Sequence, residues 1–138
     1  MRILSRLDHL DITPVDHNRA LAFYDRALAP LGIKRLVTKT ASCGFGIERP
    51  FFWLEVPDSQ YALHQHKVHL AFSAGSKEEV DAFYSAALEA GGTDNGARGY
   101  RPQYDAGHYA AFVLDLDGNN IEAVYREPKP VKDVGSAR

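Results

Sequence analysis

Residues 9–32 read HLDITPVDHNRALAFYDRALAPLG, and residues 69–92 read HLAFSAGSKEEVDAFYSAALEAGG. A shift of sixty residues aligns the two stretches without a gap, and 8 of the 24 positions are then identical. Average residue usage gives about one or two identities by chance. Amphipathic helices share their apolar spacing, but this does not explain the histidine thirteen residues before the common Ala-Phe-Tyr. The sequence therefore predicts two copies of one structural unit.

Each copy is predicted to fold as β-α-β-β-β. Strand patterns at 7–13 and 67–73 are each followed by an amphipathic helix, with Asp16 and Ser76 as N-caps. Gly32 and Gly91-Gly92 are the predicted helix ends, and Asp117-Gly118 is a hairpin turn. The remaining strand candidates are 33–40, 43–48 and 51–56 in the first copy, and a poorly defined 93–100, then 108–115 and 119–125, in the second.

These units are expected to form one α+β domain over 1–127, with the first unit at about 7–57 and the second at about 67–127. The length of 138 residues suits one domain, and the segment 128–138 is predicted to be a mobile tail.

Composition narrows the class of protein. A hydrophobic fraction of 45% and a charged fraction of 25% are typical of a soluble globular chain. The formal net charge of −2 argues against a nucleic-acid partner. One cysteine, Cys43, allows no internal disulfide and fits a reducing cytoplasm. No stretch approaches 18 apolar residues, so we expect neither a signal peptide nor a membrane span.

Strand parity places polar side chains on the sheet face away from the helices. In the first strand of each copy, His9 and His69 alternate with apolar residues that suit the helix side. Aligning WLEV (53–56) with NIEA (120–123) puts Glu55 on Glu122, again on the side away from the helices.

Two imidazoles and two carboxylates converging on one point would form a divalent-metal site. Nitrogen and oxygen ligands without thiolate suit Ni, Fe, Mn, Co or Zn. The competing interpretation is that each histidine is a hydrogen-bonded structural residue and that Glu55 is an exposed glutamate near Pro57.

The residues quoted above carry a family likeness. The chain resembles the vicinal oxygen chelate superfamily, which includes glyoxalase I, extradiol dioxygenases, fosfomycin-resistance enzymes and bleomycin-binding proteins. The resemblance covers about 7–126 and rests on LDHL, AFY, KVHLAF and, most specifically, AAFVLDLDGNNIEAVY at 110–125. It implies paired βαβββ modules whose eight strands form an incomplete barrel around one metal, with helices on the outer face.

The resemblance also implies ligands and an activity. His9 and His69 match the family's first-strand histidines, Glu122 its last-strand glutamate, and Glu55 its variable fourth ligand. The implied reaction is a glyoxalase-type lyase or isomerase reaction on a small substrate that chelates the metal through vicinal oxygens. Glu122 or Glu55 would be the catalytic base.

Two alternatives stay open at this point. One is a metal-free ligand- or drug-binding protein of the bleomycin-resistance type, and the other is an Fe(II) extradiol dioxygenase in which Glu55 does not ligate. Many family members are homodimers, and the sequence does not decide whether the modules pair within one chain or between two.

Candidate substrate contacts lie on the same face and in one loop. Phe51 and Trp53 share the predicted face of Glu55, and the loop 96–108, a predicted lid, contains four polar candidates. These four are Arg98, Arg101, Tyr104 and His108. His64 and His66 are interpreted as surface histidines of the linker.

Overall fold

The computed structural model describes residues 5–57 and 66–128. In the first unit, strands β1 (Leu10–Ile12), β2 (Lys34–Thr38), β3 (Ser42–Gly46) and β4 (Pro50–Glu55) form a sheet in the order β1-β4-β3-β2. Strands β1 and β4 are parallel, and the other pairs are antiparallel. Helix α1 (His17–Ala27) connects β1 to β2 and is followed by a 3-10 turn at Ala29–Leu31.

The second unit repeats this plan with one extra strand. Its elements are β5 (His69–Ser73), α2 (Lys77–Glu89), β6 (Thr93–Asp94), β7 (Gly99–Tyr100), β8 (His108–Leu114) and β9 (Asn120–Arg126). The sheet order is β5-β9-β8-β6, and β7 also pairs with β8. Strand β5 is parallel to β9, as β1 is to β4, so the duplication seen in the sequence is a duplication of topology.

The helix boundaries follow from local chemistry. The side chain of Asp16 accepts a hydrogen bond from the Arg19 backbone amide, and Ser76 caps α2 in the same way. The apolar stripe predicts a first helix that continues to Leu31, but α1 ends at Ala27. Pro30 lacks the amide proton that an α-helical turn requires, so the chain tightens into the 3-10 turn. Gly32 then takes the predicted left-handed conformation at φ 74°.

One hydrophobic core joins the helices to one face of each sheet. It contains Phe23 from α1, Phe83 from α2 and Ile121 from β9, all almost fully buried. The two units also meet directly, because the rings of Phe52 and Phe72 lie 5.5 Å apart with their planes at 80°. We call the opposite face of each sheet, turned away from the helices, its open face.

The α+β fold of two βαβββ units with two helices is confirmed, while the strand count is corrected. The described residues form two open sheets of four and five strands, where eight strands in all were predicted. The predicted strand 93–100 is broken into β6 and β7, because the Asp94 carboxylate accepts a hydrogen bond from the Gly96 amide. Gly96 turns to φ 143°, and Asn95 and Gly96 both hydrogen-bond the backbone of Phe112, so the strand bulges there.

Some predictions fall on parts of the chain beyond these residues. His64, most of the linker and the tail from 129 onward lie outside the described residues. Across 5–57 and 66–128, the helices are too short and polar to cross a membrane.

Candidate functional site

Glu122 is a buried carboxylate on the open face of the second sheet. The residue is 5% exposed, and each of its two carboxylate oxygens lies beside a histidine. His69 Nε2 is 3.0 Å from Oε1, and His108 Nε2 is 3.0 Å from Oε2. Both contacts are at hydrogen-bond distance, with each imidazole donating an N–H whenever the carboxylate is ionised. The His69 side chain is 49% exposed and forms the accessible end of this set.

An aromatic ring and a guanidinium pack beside the cluster formed by Glu122, His69 and His108. The Phe112 ring stacks on the His69 imidazole at 6.1 Å, and the Arg101 guanidinium lies 5.3 Å from the Phe112 ring centroid. Arg101 also donates hydrogen bonds to the carbonyl oxygens of Ala97 and Gly99. The segment predicted to be a lid is therefore fixed at Arg101 against the open face.

On the first sheet, the open face carries a groove of about 420 Å³. The groove is lined by Asp8, His9, Asp11, Lys39, Ser42, Arg49, Pro50, Trp53 and Glu55. His9 Nδ1 lies 2.7 Å from the Asp8 carboxylate, and this hydrogen bond is the main cause of a raised pKa for His9. Lys39 Nζ lies 5.7 Å from the Trp53 ring centroid, within cation–π distance.

Glu55 is half-buried in this groove beside a second acid. Burial is the largest cause of its raised pKa, followed by the negative charge of Asp11 and a hydrogen bond with it. His17 and Lys39 act in the opposite direction and lower the pKa. Asp11 was not among the predicted site residues. Its position two residues after His9, on the same strand face, is the signal that would have identified it.

The strand register corrects the predicted equivalence of Glu55 and Glu122. Leu10 pairs with Phe52, whereas its repeat counterpart Leu70 pairs with Ile121. The counterpart of Glu122 is therefore Trp53, and Glu55 lies two residues further along its strand. Two residues correspond to about 6.6 Å, so the two glutamates do not occupy equivalent positions.

The other residues predicted to contact the substrate lie at separate places in the structure. Phe51 lines a separate apolar groove, of about 300 Å³, between the two units. Arg98 Nε lies 3.6 Å from the Asp81 carboxylate of α2. Tyr104 is exposed and packs edge-on against the His108 ring at 5.2 Å. His108, where the predicted loop 96–108 meets the predicted strand 108–115, begins β8 and is 6% exposed.

The four predicted ligands form two pairs in one chain. The groove that contains His9 and Glu55 is lined by no residue of the second unit. Among residues 5–57 and 66–128, no three His, Cys, Asp or Glu side chains are grouped so as to hold a metal ion.

Comparisons with known proteins place this fold in a family. The glyoxalase/bleomycin resistance protein/dioxygenase superfamily model matches residues 6–123. Among solved structures, a glyoxalase/bleomycin resistance protein from Albidiferax ferrireducens is 29% identical, with a TM-score of 0.73, and the match covers 89% of this chain and 100% of that one.

Two more distant relatives share the fold. Lactoylglutathione lyase from Agrobacterium tumefaciens is 20% identical with a TM-score of 0.62, over 90% of this chain and 96% of that one. A mutant of the fosfomycin resistance protein FosX from Listeria monocytogenes, complexed with Mn(II) and a dihydroxypropylphosphonic acid, is also 20% identical with a TM-score of 0.62. That match covers 88% of this chain and 90% of that one. A search of curated proteins gave no significant match. With 118 of its residues matched, the chain belongs to the glyoxalase/bleomycin resistance protein/dioxygenase superfamily.

Proposed function

We propose that the protein is a divalent-metal-dependent lyase or isomerase of the glyoxalase type, acting on a small substrate with two neighbouring oxygens. The observation that carries this proposal is the pair formed by Glu122 and His69. A carboxylate that is 5% exposed is costly to bury unless it is paired or binds a metal. Core packing alone gives no reason to place it beside a half-exposed imidazole.

The donor atoms of this pair fit a metal. His69 Nε2 and Glu122 Oε1 are 3.0 Å apart. That separation is a hydrogen-bond distance, so an ion bound by both atoms would take the place of the proton between them. Imidazole and carboxylate donors suit Ni, Zn, Fe, Mn or Co.

His9 and Glu55 are proposed to supply the other ligands. Within one chain they lie on the first sheet and the Glu122 pair lies on the second, so one chain presents two half-sets. Strands β1 and β5 are both sheet edges, with one strand partner each in the described residues. We therefore include a homodimer in the proposal, in which each half-set is completed by its counterpart on the other chain. The buried single thiol of Cys43 suits a reducing cytoplasm.

The proposed roles of the residues follow from their surroundings. The bound ion would supply Lewis-acid stabilisation of negative charge on the substrate oxygens. Glu122, held by two histidines, is suited to a fixed ligand. Glu55 is more accessible and has a raised pKa, so it is the better candidate to accept and return a proton. Trp53 would form an aromatic wall of the substrate groove.

The first experiment measures metal content by mass spectrometry in the purified protein. We expect about one divalent ion per chain in wild type, and loss of that ion in His69→Ala and Glu122→Ala. His66→Ala, at an exposed linker histidine, is the matched control and should keep the ion. If wild type neither contains nor takes up any of the five metals, the enzyme proposal is wrong. The competing candidate, a metal-free binding protein, would then be favoured.

A second experiment tests how the half-sets are paired. His9→Ala damages the first half-set and His69→Ala the second, so neither homodimer retains a complete site. If the half-sets pair between chains, a mixed dimer of the two variants has one intact site, and mixing should restore metal binding. If mixed dimers form but bind no metal, pairing between chains is ruled out.

A further inference from the structure

His108 is a buried histidine that shares the open face of the second sheet with Glu122. Its ring lies beneath Tyr104, and the residue is 6% exposed. The antiparallel register pairs Phe112 of β8 with Glu122 of β9, and His108 is on the Phe112 side of its strand. Strand geometry therefore directs the His108 side chain to the face that carries the proposed metal ligand.

The polar contact of His108 is with Glu122. His108 Nε2 lies 3.0 Å from Oε2, while Oε1 lies beside His69. The two carboxylate oxygens are thus divided between a buried histidine and an accessible one. Rotation of the carboxylate plane would break the His108 hydrogen bond, so this contact fixes the orientation in which the carboxylate faces His69.

The other ring nitrogen of His108 argues against a role in packing alone. Nδ1 is buried and has no hydrogen-bond partner among the described residues. An apolar ring would fill the same space without a buried, unpaired nitrogen. The free-energy cost of burying this nitrogen without a partner is explained if the Nε2–H group makes a contact that an apolar side chain could not make.

We propose that His108 is a positioning residue that holds Glu122 Oε2 and so presents Oε1, together with His69 Nε2, to the metal. This inference rests on the proposed function, because it assigns a partner to one of the proposed ligands. Partners of this kind orient metal-binding carboxylates, and their loss typically weakens metal affinity by about 10- to 100-fold.

The test compares Co²⁺ affinity and the visible Co²⁺ absorption spectrum among variants of the full chain. His108→Phe keeps an aromatic ring and removes the donor, so affinity should fall by about 10- to 100-fold and the spectrum should change. His108→Gln retains an N–H at a similar reach and should recover most of the affinity. His66→Phe is the control for a histidine-to-phenylalanine change at an exposed position and should match wild type.

A measurement on wild type keeps the proposal testable if His108→Phe does not fold. Long-range ¹H–¹⁵N NMR distinguishes the two ring nitrogens of each histidine, with and without Zn²⁺. We expect His108 to remain protonated at Nε2 in both states and His69 to change on Zn²⁺ addition. A His108 ring that loses its Nε2 proton to Zn²⁺ would be a ligand itself, and the positioning role would be wrong.

The outcomes separate this inference from the proposed function. Wild type that binds Co²⁺, with unchanged affinity in a folded His108→Phe, overturns the positioning role and leaves the metal site standing. Wild type that binds no divalent metal overturns both.

Discussion

The hydrogen bond between Tyr24 and Asp115 connects the two units through the protein interior. Tyr24 in α1 is 1% exposed, and its hydroxyl donates to Asp115 Oδ2 at 2.6 Å. Asp115 lies directly after β8, in the turn that leads to β9 and therefore to Glu122. We predict that Tyr24→Phe lowers the free energy of unfolding by about 1.5–3 kcal/mol at pH 7, the range for hydrogen bonds to charged groups.

The size of this loss follows from what remains in the variant. Asp115 keeps hydrogen bonds from the Asn119 side chain and from the backbone amides of Asp117 and Asn119. Its carboxylate is therefore not left unpaired, and the loss stays below that of an isolated buried charge. With a urea m-value of about 2 kcal/mol/M, the unfolding midpoint should fall by about 1 M.

The change of the unfolding free energy with pH provides a second, independent test of this prediction. Burial, and then the charge of Asp115, raise the pKa of Tyr24 well above its ordinary value. In the unfolded chain this tyrosine ionises near pH 10, so above that pH the unfolded state loses a proton that the folded state retains. Wild type then loses about 1.4 kcal/mol per pH unit up to the folded pKa, a loss that Tyr24→Phe does not share. The stability gap between the two proteins should therefore narrow above pH 10.

Urea unfolding followed by circular dichroism at pH 7, 10 and 11 measures both effects. Tyr84→Phe is the matched control, because Tyr84 is the half-buried repeat counterpart of Tyr24 and donates an exposed hydrogen bond to Asp94 at 3.0 Å. Its removal should change the midpoint little. Equal losses in both variants, or a gap that stays constant through pH 11, would show that the buried hydrogen bond does not connect the units energetically.

Three further outcomes are expected. Co²⁺ should quench the fluorescence of Trp53, the only tryptophan, and His9→Ala should abolish this quenching; emission that is unchanged by bound metal would exclude His9 and Glu55 as ligands. Gly32→Ala should cost about 1–2 kcal/mol in urea unfolding from backbone strain alone, since φ is 74° and nothing lies within 4 Å of the added methyl group; a smaller loss would contradict this cause. Arg101→Ala should accelerate chymotryptic cleavage within 97–104, because it removes the contacts that hold this segment; an unchanged rate would show that Arg101 does not hold it.

The elements of the fold were predictable because each rests on a local signal. Apolar spacing gave α1 and α2, and capping residues gave their first turns. Sequence periodicity did not reveal where a proline or a nearby polar side chain overrides the regular conformation. Pro30 ended α1 a turn early, and the Asp94 side chain interrupted the strand 93–100.

The site was less predictable because the alternation of side chains along a strand does not distinguish two registers that differ by a slip of two residues. Such a slip keeps every side chain on the same face, so WLEV and NIEA could be aligned in the wrong register without any conflict in burial. Only the pairings of Leu10 with Phe52 and of Leu70 with Ile121 fix the register. His108 was predicted as a substrate contact and not as a partner of Glu122 for a related reason: its contact with Glu122 spans two strands, and sequence spacing does not reveal it.

The repeat itself shows which residues are kept for packing and which require another explanation. Four of the eight identities between the two 24-residue stretches lie within both helices, and pairs such as Phe23 and Phe83 are almost fully buried in the common core. His9 and His69 are identical although their side chains are 54% and 49% exposed, so packing does not explain their retention.

The positions around these two histidines have diverged. Trp53 stands where the second unit has Glu122, and Asp11 stands where it has Ala71. A site built from both units would therefore be asymmetric, with a buried, fixed carboxylate on one side and an open groove on the other. This asymmetry supports separate roles for the two glutamates. We accordingly expect Glu122→Gln to remove metal binding and Glu55→Gln to reduce turnover more than metal affinity.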